Sequence, residues 1–375
     1  MKYQKICVLG LGYIGLPTAC TFATHGIKVI GVDINTEIVR GLQNGHIHIF
    51  EPGLRSLVQD AIQSGNLTFQ PSPEKVDAFI IAVPTPITPE KKADLKAVKA
   101  AAESIVPHLQ SGNLVILEST SPPRTTCDIV TPILEKSGLK AGDDFLLAYS
   151  PERVLPGKIL EEIIQNTRVI GGIDESSALA GKELYSTFVK GDILLTNATT
   201  AEMVKLMENT YRDINIATAN EFTRLADRFG VNVWEAIDIA NRHPRVNILS
   251  RGPGVGGHCI SEDPWFLVEA APDVSPLVHT AREVNDGQPS YVVNLMRRKL
   301  GTLSGKKISI LGLAYKAIID DLRESPAIEI VKLLLDEKSD LTIFEPFKPD
   351  GLHGKARAVN SLEDALQDCE IILLL

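Results

Sequence analysis

The sequence predicts an α/β protein: two Rossmann-like, doubly wound parallel-sheet domains joined by a long central helix. Three stretches carry that expectation. A strand, a glycine-rich turn, a helix and a second strand ending in an acid follow one another within residues 5–33. From Thr199 to about Phe229 an unbroken helical pattern runs for roughly thirty residues, long for a globular helix. From Lys307 a second strand–loop–helix–strand series begins. The expected division is 1–197, 198–300 and 301–375, with the helical domain in the middle.

Composition bounds the answer. A chain of 375 residues is too long for one ordinary core, and 44% hydrophobic with 23% charged residues is an ordinary globular balance. A net charge of −9 argues against nucleic-acid and anionic-membrane partners, which want a basic face. Cys7, Cys20, Cys127, Cys259 and Cys369 are scattered and lack CxxC spacing. Reduced thiols, no disulfide framework, no metal site and a cytoplasmic location are therefore expected. The N-terminus runs straight into a folded pattern without a signal-peptide cleavage region, and no apolar run approaches the roughly 20 residues a membrane helix needs.

Lys5–Leu9 reads as a strand leading into Gly10-Leu-Gly12-Tyr13-Ile14-Gly15, then a helix from Tyr13 to Thr24 and a strand from Ile27 to Val32 that ends in Asp33. A lone GxGxxG is weak evidence, but this context is specific. Gly10 permits the tight turn, Gly12 lets backbone reach a pyrophosphate, and Gly15 allows close helix–strand packing. Phosphates would sit on the N–H groups at the helix start. Asp33, 18 residues past Gly15, suits both ribose hydroxyls and repels a 2′-phosphate, so NAD is expected over NADP.

Further βα units follow. Asp77–Val83 is a strand ending in Pro84-Thr85-Pro86, Leu95–Leu109 a helix, and Asn113–Leu117 a strand opening into ESTSPP with Thr120. Phe145–Ala148 is a strand ending in YSPER with Glu152, and Asp192–Thr196 another. In a parallel sheet ligands bind beyond the carboxyl ends of the strands, so Thr85, Thr120 and Glu152 fall where cofactor and substrate would lie.

In the long helix Lys205 and Asn209 are one turn apart on one face, which Asp213 continues. Taken alone, that face reads as solvated surface. Val233–Asn241 is a shorter helix stopped by His243-Pro244. Arg245 and Arg251 are the cations nearest the next stretch, RGPGVGGHCISEDPW, where glycines at 252, 254, 256 and 257 surround Cys259. A cysteine in such a loop is better placed for reaction than for packing, yet the stretch alone reads equally as a glycine-rich turn that contains a small apolar residue; the Glu262-Asp263 pair with Pro264-Trp265 reads as its stop.

Leu277–Leu300 reads as a helix broken at Pro289, and Lys307–Leu311 as a strand ending in GLAYK with Lys316. Ser325 is a plausible N-cap for a helix from Pro326 to Glu337. Leu341–Phe344 is a strand, Leu362–Leu366 a short helix, and Ile371–Leu375 a final strand. Stopping on an uncapped apolar strand points to a domain that continues past residue 375.

Assembled, these stretches resemble the UDP-glucose/GDP-mannose dehydrogenase family over essentially the whole chain: VLGLGYIGLPTA, AVPTP, ESTSPP, SPERVLPG, KLMENTYRDINIATANE, HPRVNIL, GPGVGGHC, DPW and DDLRESPA. The resemblance is nearest to the branch that oxidises UDP-N-acetyl-D-mannosamine. It implies an N-terminal NAD-binding domain, a central helix carrying a homodimer contact (or a higher homo-oligomer), and a C-terminal domain that binds the nucleotide-sugar. It implies a four-electron oxidation of the C6 hydroxymethyl to a carboxylate with two NAD, in polysaccharide biosynthesis.

By the same resemblance, Cys259 matches the nucleophile, Lys205 and Asn209 the pair at the oxygen of the reacting carbon, and Asp263 the acid after the cysteine. Thr120 and Glu152 match strand-end residues that handle water and protons. Gly10, Gly12, Tyr13, Ile14, Gly15, Asp33, Thr85, Thr120 and Arg323 fall at the cofactor. Glu152, Arg153, Val154, Lys205, Asn209, His243, Arg245, Asn247, Gly252, Gly256 and Lys316 fall at the substrate. Pro156 stands where many glucose-type members carry a second glutamate, so no role of that glutamate transfers.

Physically, Lys205 and Asn209 offer a cation and an amide donor to a developing oxyanion. Cys259 would capture the aldehyde as a thiohemiacetal and carry it through a thioester. Such a thiolate needs a depressed pKa, with Asp263 and His258 both candidates for its proton partner. Rival expectations are the same reaction on UDP-N-acetylglucosamine or UDP-glucose, a two-electron hydroxyacid-type dehydrogenase that needs no cysteine, and a silent NAD-binding scaffold.

Overall fold

The structure, a computed structural model, describes residues 3–257, 259–316, 321–348 and 356–375. The chain divides into two compact units, Met1–Met207 and Glu208–Leu375.

The first unit is built on eight strands: β1 (Lys5–Leu9), β2 (Lys28–Val32), β3 (Leu67–Gln70), β4 (Ala78–Ile81), β5 (Leu114–Leu117), β6 (Leu146–Tyr149), β7 (Arg168–Gly172) and β8 (Ile193–Asn197). Their order is β3-β2-β1-β4-β5-β6-β7-β8, parallel throughout except at β6–β7. The helices are α1 (Gly15–Thr24), α2 (Thr36–Gln43), α3 (Leu54–Gln63), α4 (Lys96–Ile105), α5 (Thr131–Leu134), α6 (Ile159–Gln165) and α7 (Glu175–Tyr185). In β1, Ile6 and Val8 join one core cluster while Cys7 and Leu9 join the other. Successive side chains point to opposite faces, and both faces are buried, which is why KICVL is apolar without alternation. The order reverses between β1 and β4, the switch point beyond which α/β sheets hold ligands.

Sequence reading missed β7, whose RVIGG looks like a turn because glycine is unusual inside strands. The close packing explains those glycines. A Cβ on Gly171 would stand 2.4 Å from the Asn197 carbonyl oxygen, and one on Gly172 would stand 2.1 Å from that of Asp174.

Helix α8 (Ala198–Phe229) is 32 residues long and runs from the first unit into the second. It is followed by α9 (Val233–Ala240), α10 (Asp263–Ala270), α11 (Pro276–Asp286) and α12 (Gln288–Leu300). Two expectations are corrected here. Asp263-Pro264-Trp265 does not stop the glycine-rich loop but starts α10, with Pro264 in its first turn, where a missing N–H costs nothing. Pro289 lies in the first turn of α12, and the break falls at Gly287.

The second unit ends in a four-stranded parallel sheet, β11-β10-β9-β12, from β9 (Lys307–Leu311), β10 (Asp340–Phe344), β11 (Arg357–Val359) and β12 (Ile371–Leu374). Helices α13 (Pro326–Asp336) and α14 (Leu362–Leu366) accompany it. Ile308, Ile310, Ile330, Leu334, Leu341 and Ile343 form its core. Ser325 does not cap α13 with its side chain; its hydroxyl donates to the Leu313 carbonyl at 2.6 Å instead.

Candidate active site

At the β1–α1 turn Gly10 has φ +93°, and a Cβ there would stand 2.4 Å from the Ala82 carbonyl oxygen. A Cβ on Gly15 would stand 1.8 Å from the Gly10 carbonyl oxygen, whereas one on Gly12 would meet nothing within 4 Å. The first and third glycines are thus required by packing, and the second keeps open space. No side chain caps α1, and its first turn holds no acid. Asp33 closes the turn, accepting from Leu11 N at 3.0 Å and Asn35 N at 2.9 Å. An uncapped helix start beside open space, with an acid at the end of β2, fits the diphosphate and ribose of NAD.

The carboxyl ends of β4, β5 and β6 carry the next predicted residues. The Thr85 hydroxyl donates to the Thr120 carbonyl at 2.6 Å, tying two strand ends together. The loop after Thr120 is held from α8: the buried Glu202 carboxylate accepts from Arg124 N at 2.6 Å, Thr126 N at 2.8 Å and the Thr126 hydroxyl at 2.6 Å.

Glu152 is held by Arg168 at 2.5 Å, and Arg168 also reaches Glu118 at 3.2 Å and the Ser150 hydroxyl at 3.1 Å. Tyr185 donates to Glu118 Oε1 at 2.5 Å, and the Arg168 guanidinium stacks 4.2 Å from the Tyr185 ring centre. Burial pushes the Glu118 carboxyl up to about 7 and the Tyr185 phenol well above its ordinary value; Arg168 opposes both shifts. Sequence reading missed Arg168 and Tyr185. An arginine in a short run reads as surface, and its partners are distant in the chain.

Next in the chain comes α8, where the solvated-face expectation fails. Lys205 and Asn209 are 9% and 8% exposed, and Asp213 and Asn220 are fully buried. Meanwhile Met203, Met207, Tyr211, Phe222, Leu225 and Phe229 are exposed. At roughly 100° per residue these six share one side of the helix, opposite the polar set. The helix is inverted: it buries its polar stripe and exposes an apolar one.

In the second unit Asn209 Nδ2 donates to Asp263 Oδ2 at 2.5 Å, both groups buried. The Asp263 and Glu262 N–H groups in turn donate to the Cys259 carbonyl at 2.9 and 3.2 Å. Cys259 is exposed and carries a reduced thiol. His258 lies outside the described residues. The glycines ahead of it are sterically required. A Cβ on Gly256 would stand 2.4 Å from Tyr315 Cβ, and one on Gly257 would stand 2.8 Å from the Tyr315 ring.

The HPRVN segment is a loop whose base Asn241 clamps, accepting from Ile248 N at 2.7 Å and donating to Ile248 O at 3.0 Å. His243, Arg245 and Asn247 are exposed on it. Arg251 stacks on the Trp234 ring.

Residues 4–189 match the NAD binding domain of the UDP-glucose/GDP-mannose dehydrogenase family, 199–287 its central domain and 309–375 its UDP binding domain. The chain belongs to this family. The UDP-N-acetyl-D-mannosamine dehydrogenase of Methanocaldococcus jannaschii is 51% identical over 375 residues, which cover 99% of this chain and 85% of that one. An NDP-N-acetyl-D-galactosaminuronic acid dehydrogenase of Ralstonia solanacearum is 47% identical over 386 residues, covering 100% and 91%. The solved UDP-D-ManNAc dehydrogenase of Pyrococcus horikoshii superposes with a TM-score of 0.92 at 41% identity, covering 99% and 88%. The protein is thus a NAD-dependent nucleotide-sugar dehydrogenase.

Within this dehydrogenase the predicted residues divide between the two units. The glycine turn, Asp33, Thr85, Thr120, Glu152, Arg153, Val154 and Lys205 belong to the first; Asn209, His243, Arg245, Asn247, the Cys259 loop, Asp263, Lys316 and Arg323 belong to the second. Val154 packs against the core of its unit, and the Arg153 guanidinium donates to the Thr167 carbonyl. Lys316 is exposed, and the Arg323 guanidinium pairs with Asp321 at 2.7 Å.

The UDP binding domain repeats the device of the first turn. Gly312 has φ +95°, a Cβ there would stand 2.9 Å from the Leu375 carbonyl oxygen, and Glu345 accepts from Leu313 N at 2.7 Å. Gly312 thus stands to β9 and β12 as Gly10 does to β1 and β4, and Glu345 to β10 as Asp33 does to β2. The sequence marks Glu345-Pro346 as the close of the Leu341–Phe344 strand but gives the acid no role, because the motif around Gly312 lacks the second and third glycines.

Proposed function

We propose that this protein oxidises C6 of UDP-N-acetyl-D-mannosamine to the carboxylate, a four-electron NAD-dependent reaction carried on Cys259. What supports the reading above all is the buried Lys205/Asn209 face of α8, with Asn209 bonded to the acid that follows the exposed Cys259. A buried cation and a fixed amide donor are what a developing oxyanion needs, because they act without reorganising. The substrate assignment rests on the names and identities of the relatives. For the domains we propose 1–197 for NAD, 198–300 for the long helix and Cys259 loop, and 301–375 for the nucleotide.

Bound NAD supplies the hydride acceptor. Gly10, Gly12, Tyr13, Ile14, Gly15 and Asp33 would hold it, with Thr85, Thr120 and Arg323 beside it. Lys205 and Asn209 would hold the substrate oxygen as its proton passes to water and loss of the C6 hydride leaves the aldehyde. Cys259 adds to the aldehyde carbon to form a thiohemiacetal, which is oxidised to a thioester. Glu152, fixed by Arg168, and Thr120 orient the water that releases the acid and restores the thiol. Arg153, Val154, His243, Arg245, Asn247, Gly252, Gly256 and Lys316 would hold the UDP-sugar. The exposed apolar side of α8 suits a second copy of the chain, so we read the enzyme as a homodimer or higher homo-oligomer. A cytoplasmic location fits the five reduced thiols.

NADH release with UDP-N-acetyl-D-mannosamine, UDP-N-acetylglucosamine, UDP-N-acetylgalactosamine and UDP-glucose side by side tests the reading. The expected result is two NADH per UDP-N-acetyl-D-mannosamine and at least about tenfold lower kcat/KM for the others, a discrimination of about 1.4 kcal/mol, since each of them inverts or lacks the C2 acetamido group. One NADH per sugar would favour a two-electron dehydrogenase. A preference for the galacto sugar would favour the activity of the Ralstonia relative.

A further inference from the structure

The segment leading to Cys259 is tied to α8 by a buried relay of side-chain amides. The Gly252 N–H donates to Asn220 Oδ1 at 2.9 Å, Asn220 Nδ2 to Asn285 Oδ1 at 2.9 Å, and Asn285 Nδ2 to Asp213 Oδ1 at 2.8 Å. Both ends fix its direction, since a backbone N–H only donates and a carboxylate only accepts. Asn220 and Asn285 are 0% and 1% exposed, so neither amide can reverse without facing like against like in a dry site.

The backbone at Asn285 also closes on the segment: a Cβ on Gly254 would stand 3.2 Å from the Asn285 main-chain carbonyl oxygen and 3.0 Å from Pro326. At the far end of the segment the Gly257 N–H donates to the Arg323 carbonyl at 3.1 Å. The charged groups around the relay are Asp213 and Arg224 on α8, and Arg282 and Asp286 on α11. Arg282 pairs with Asp213 at 2.5 Å and with Asp286, and Arg224 donates to the Val284 carbonyl at 2.8 Å.

We propose that Asn220 and Asn285 are positioning residues of the oxidation. They fix the backbone path of residues 252–257, and through it the place of Cys259. The inference rests on Cys259 being the nucleophile, and it extends the site to two residues of no reactivity of their own.

Asn220→Asp tests it with a nearly isosteric change. Ionised, the new carboxyl turns an acceptor on Asn285 Oδ1 and breaks the relay; protonated, it donates to Asn285 and accepts from Gly252, restoring it. At pH 8 the variant should lose about tenfold or more in kcat while its KM for NAD stays within about twofold. Relative to the parent enzyme, at least about fivefold of that loss should return at pH 6, since burial raises a carboxyl pKa.

Asn285→Asp, whose new carboxyl would face Asp213 beside Arg282, should behave the same way and decides the matter if Asn220→Asp does not fold. A folded variant with parental kcat at pH 8, or a deficit unchanged between pH 8 and pH 6, overturns the proposal. Failure of the nucleophile reading shows separately, as acid formation by Cys259→Ser. If that variant is inactive while Asn220→Asp matches the parent, only the relay is wrong.

Discussion

Asn209 and Asp263 lie 54 residues apart in the chain and share a buried hydrogen bond of 2.5 Å. It joins the polar face of α8 to the first turn of α10, whose N–H groups hold the Cys259 carbonyl. Asp263→Ala should leave the Asn209 amide buried without its acceptor. The expected cost is about 1–3 kcal/mol in unfolding free energy and at least about a hundredfold in kcat. Urea titration and steady-state kinetics check both; a loss of stability with normal kcat would reduce the bond to a structural one.

Lys205 is expected to act through its charge and its placement together. Lys205→Met should lower kcat by about a hundredfold to a thousandfold, the usual effect of removing one oxyanion donor, and leave the KM for NAD near normal. A parental kcat in this variant would remove Lys205 from the chemistry.

The three glycines of the first turn should separate fold from ligand. A Cβ on Gly12 meets nothing within 4 Å, so Gly12→Ala should unfold at the parental temperature yet bind NAD about tenfold or more weakly, since the methyl fills space reserved for the diphosphate. Gly15→Ala should destabilise outright, because its Cβ would collide with the Gly10 carbonyl. Calorimetry of both variants with and without NAD distinguishes the two effects.

Glu118 gives a stability test with a definite sign. Its carboxyl is raised to about 7 by burial, with Arg168 opposing and Glu152 reinforcing the shift. A carboxyl whose folded pKa is raised favours the fold fully below its unfolded pKa, about 4.3, and that contribution is lost as pH rises through about 7. The parent should therefore lose stability between about pH 5 and pH 8 relative to Glu118→Gln, which cannot ionise. Chemical denaturation at pH 5, 6.5 and 8 measures the difference; parallel profiles would show that Glu118 titrates normally.

The apolar side of α8 predicts self-association. Met207→Asp with Tyr211→Asp should shift the mass measured by light scattering toward the monomer, because the pair charges an exposed stripe that also holds Phe222 and Leu225. An unchanged mass would place the subunit contact elsewhere.

Much of this protein was legible in the chain itself. The GxGxxG turn with Asp33 named the dinucleotide site because a tight turn, a close backbone approach and a helix–strand contact each demand glycine at its own position. The apolar run KICVL announced a strand buried on both faces. Cys259 among glycines left a reactive loop and a plain glycine-rich turn equally open, and only the motifs elsewhere in the chain tipped the balance toward reaction.

Tertiary structure decided the rest. Periodicity placed Lys205, Asn209 and Asp213 on one face but read that face as solvated, because which side of a helix is buried depends on what packs against it. The partners of that face, Asp263, Arg282 and Asn285, lie 54, 69 and 72 residues away, beyond the reach of any local pattern. Arg168 likewise gained its meaning only when the sheet brought Glu118, Glu152 and Tyr185 around it. Side-chain chemistry is written locally, but burial and partnership belong to the fold.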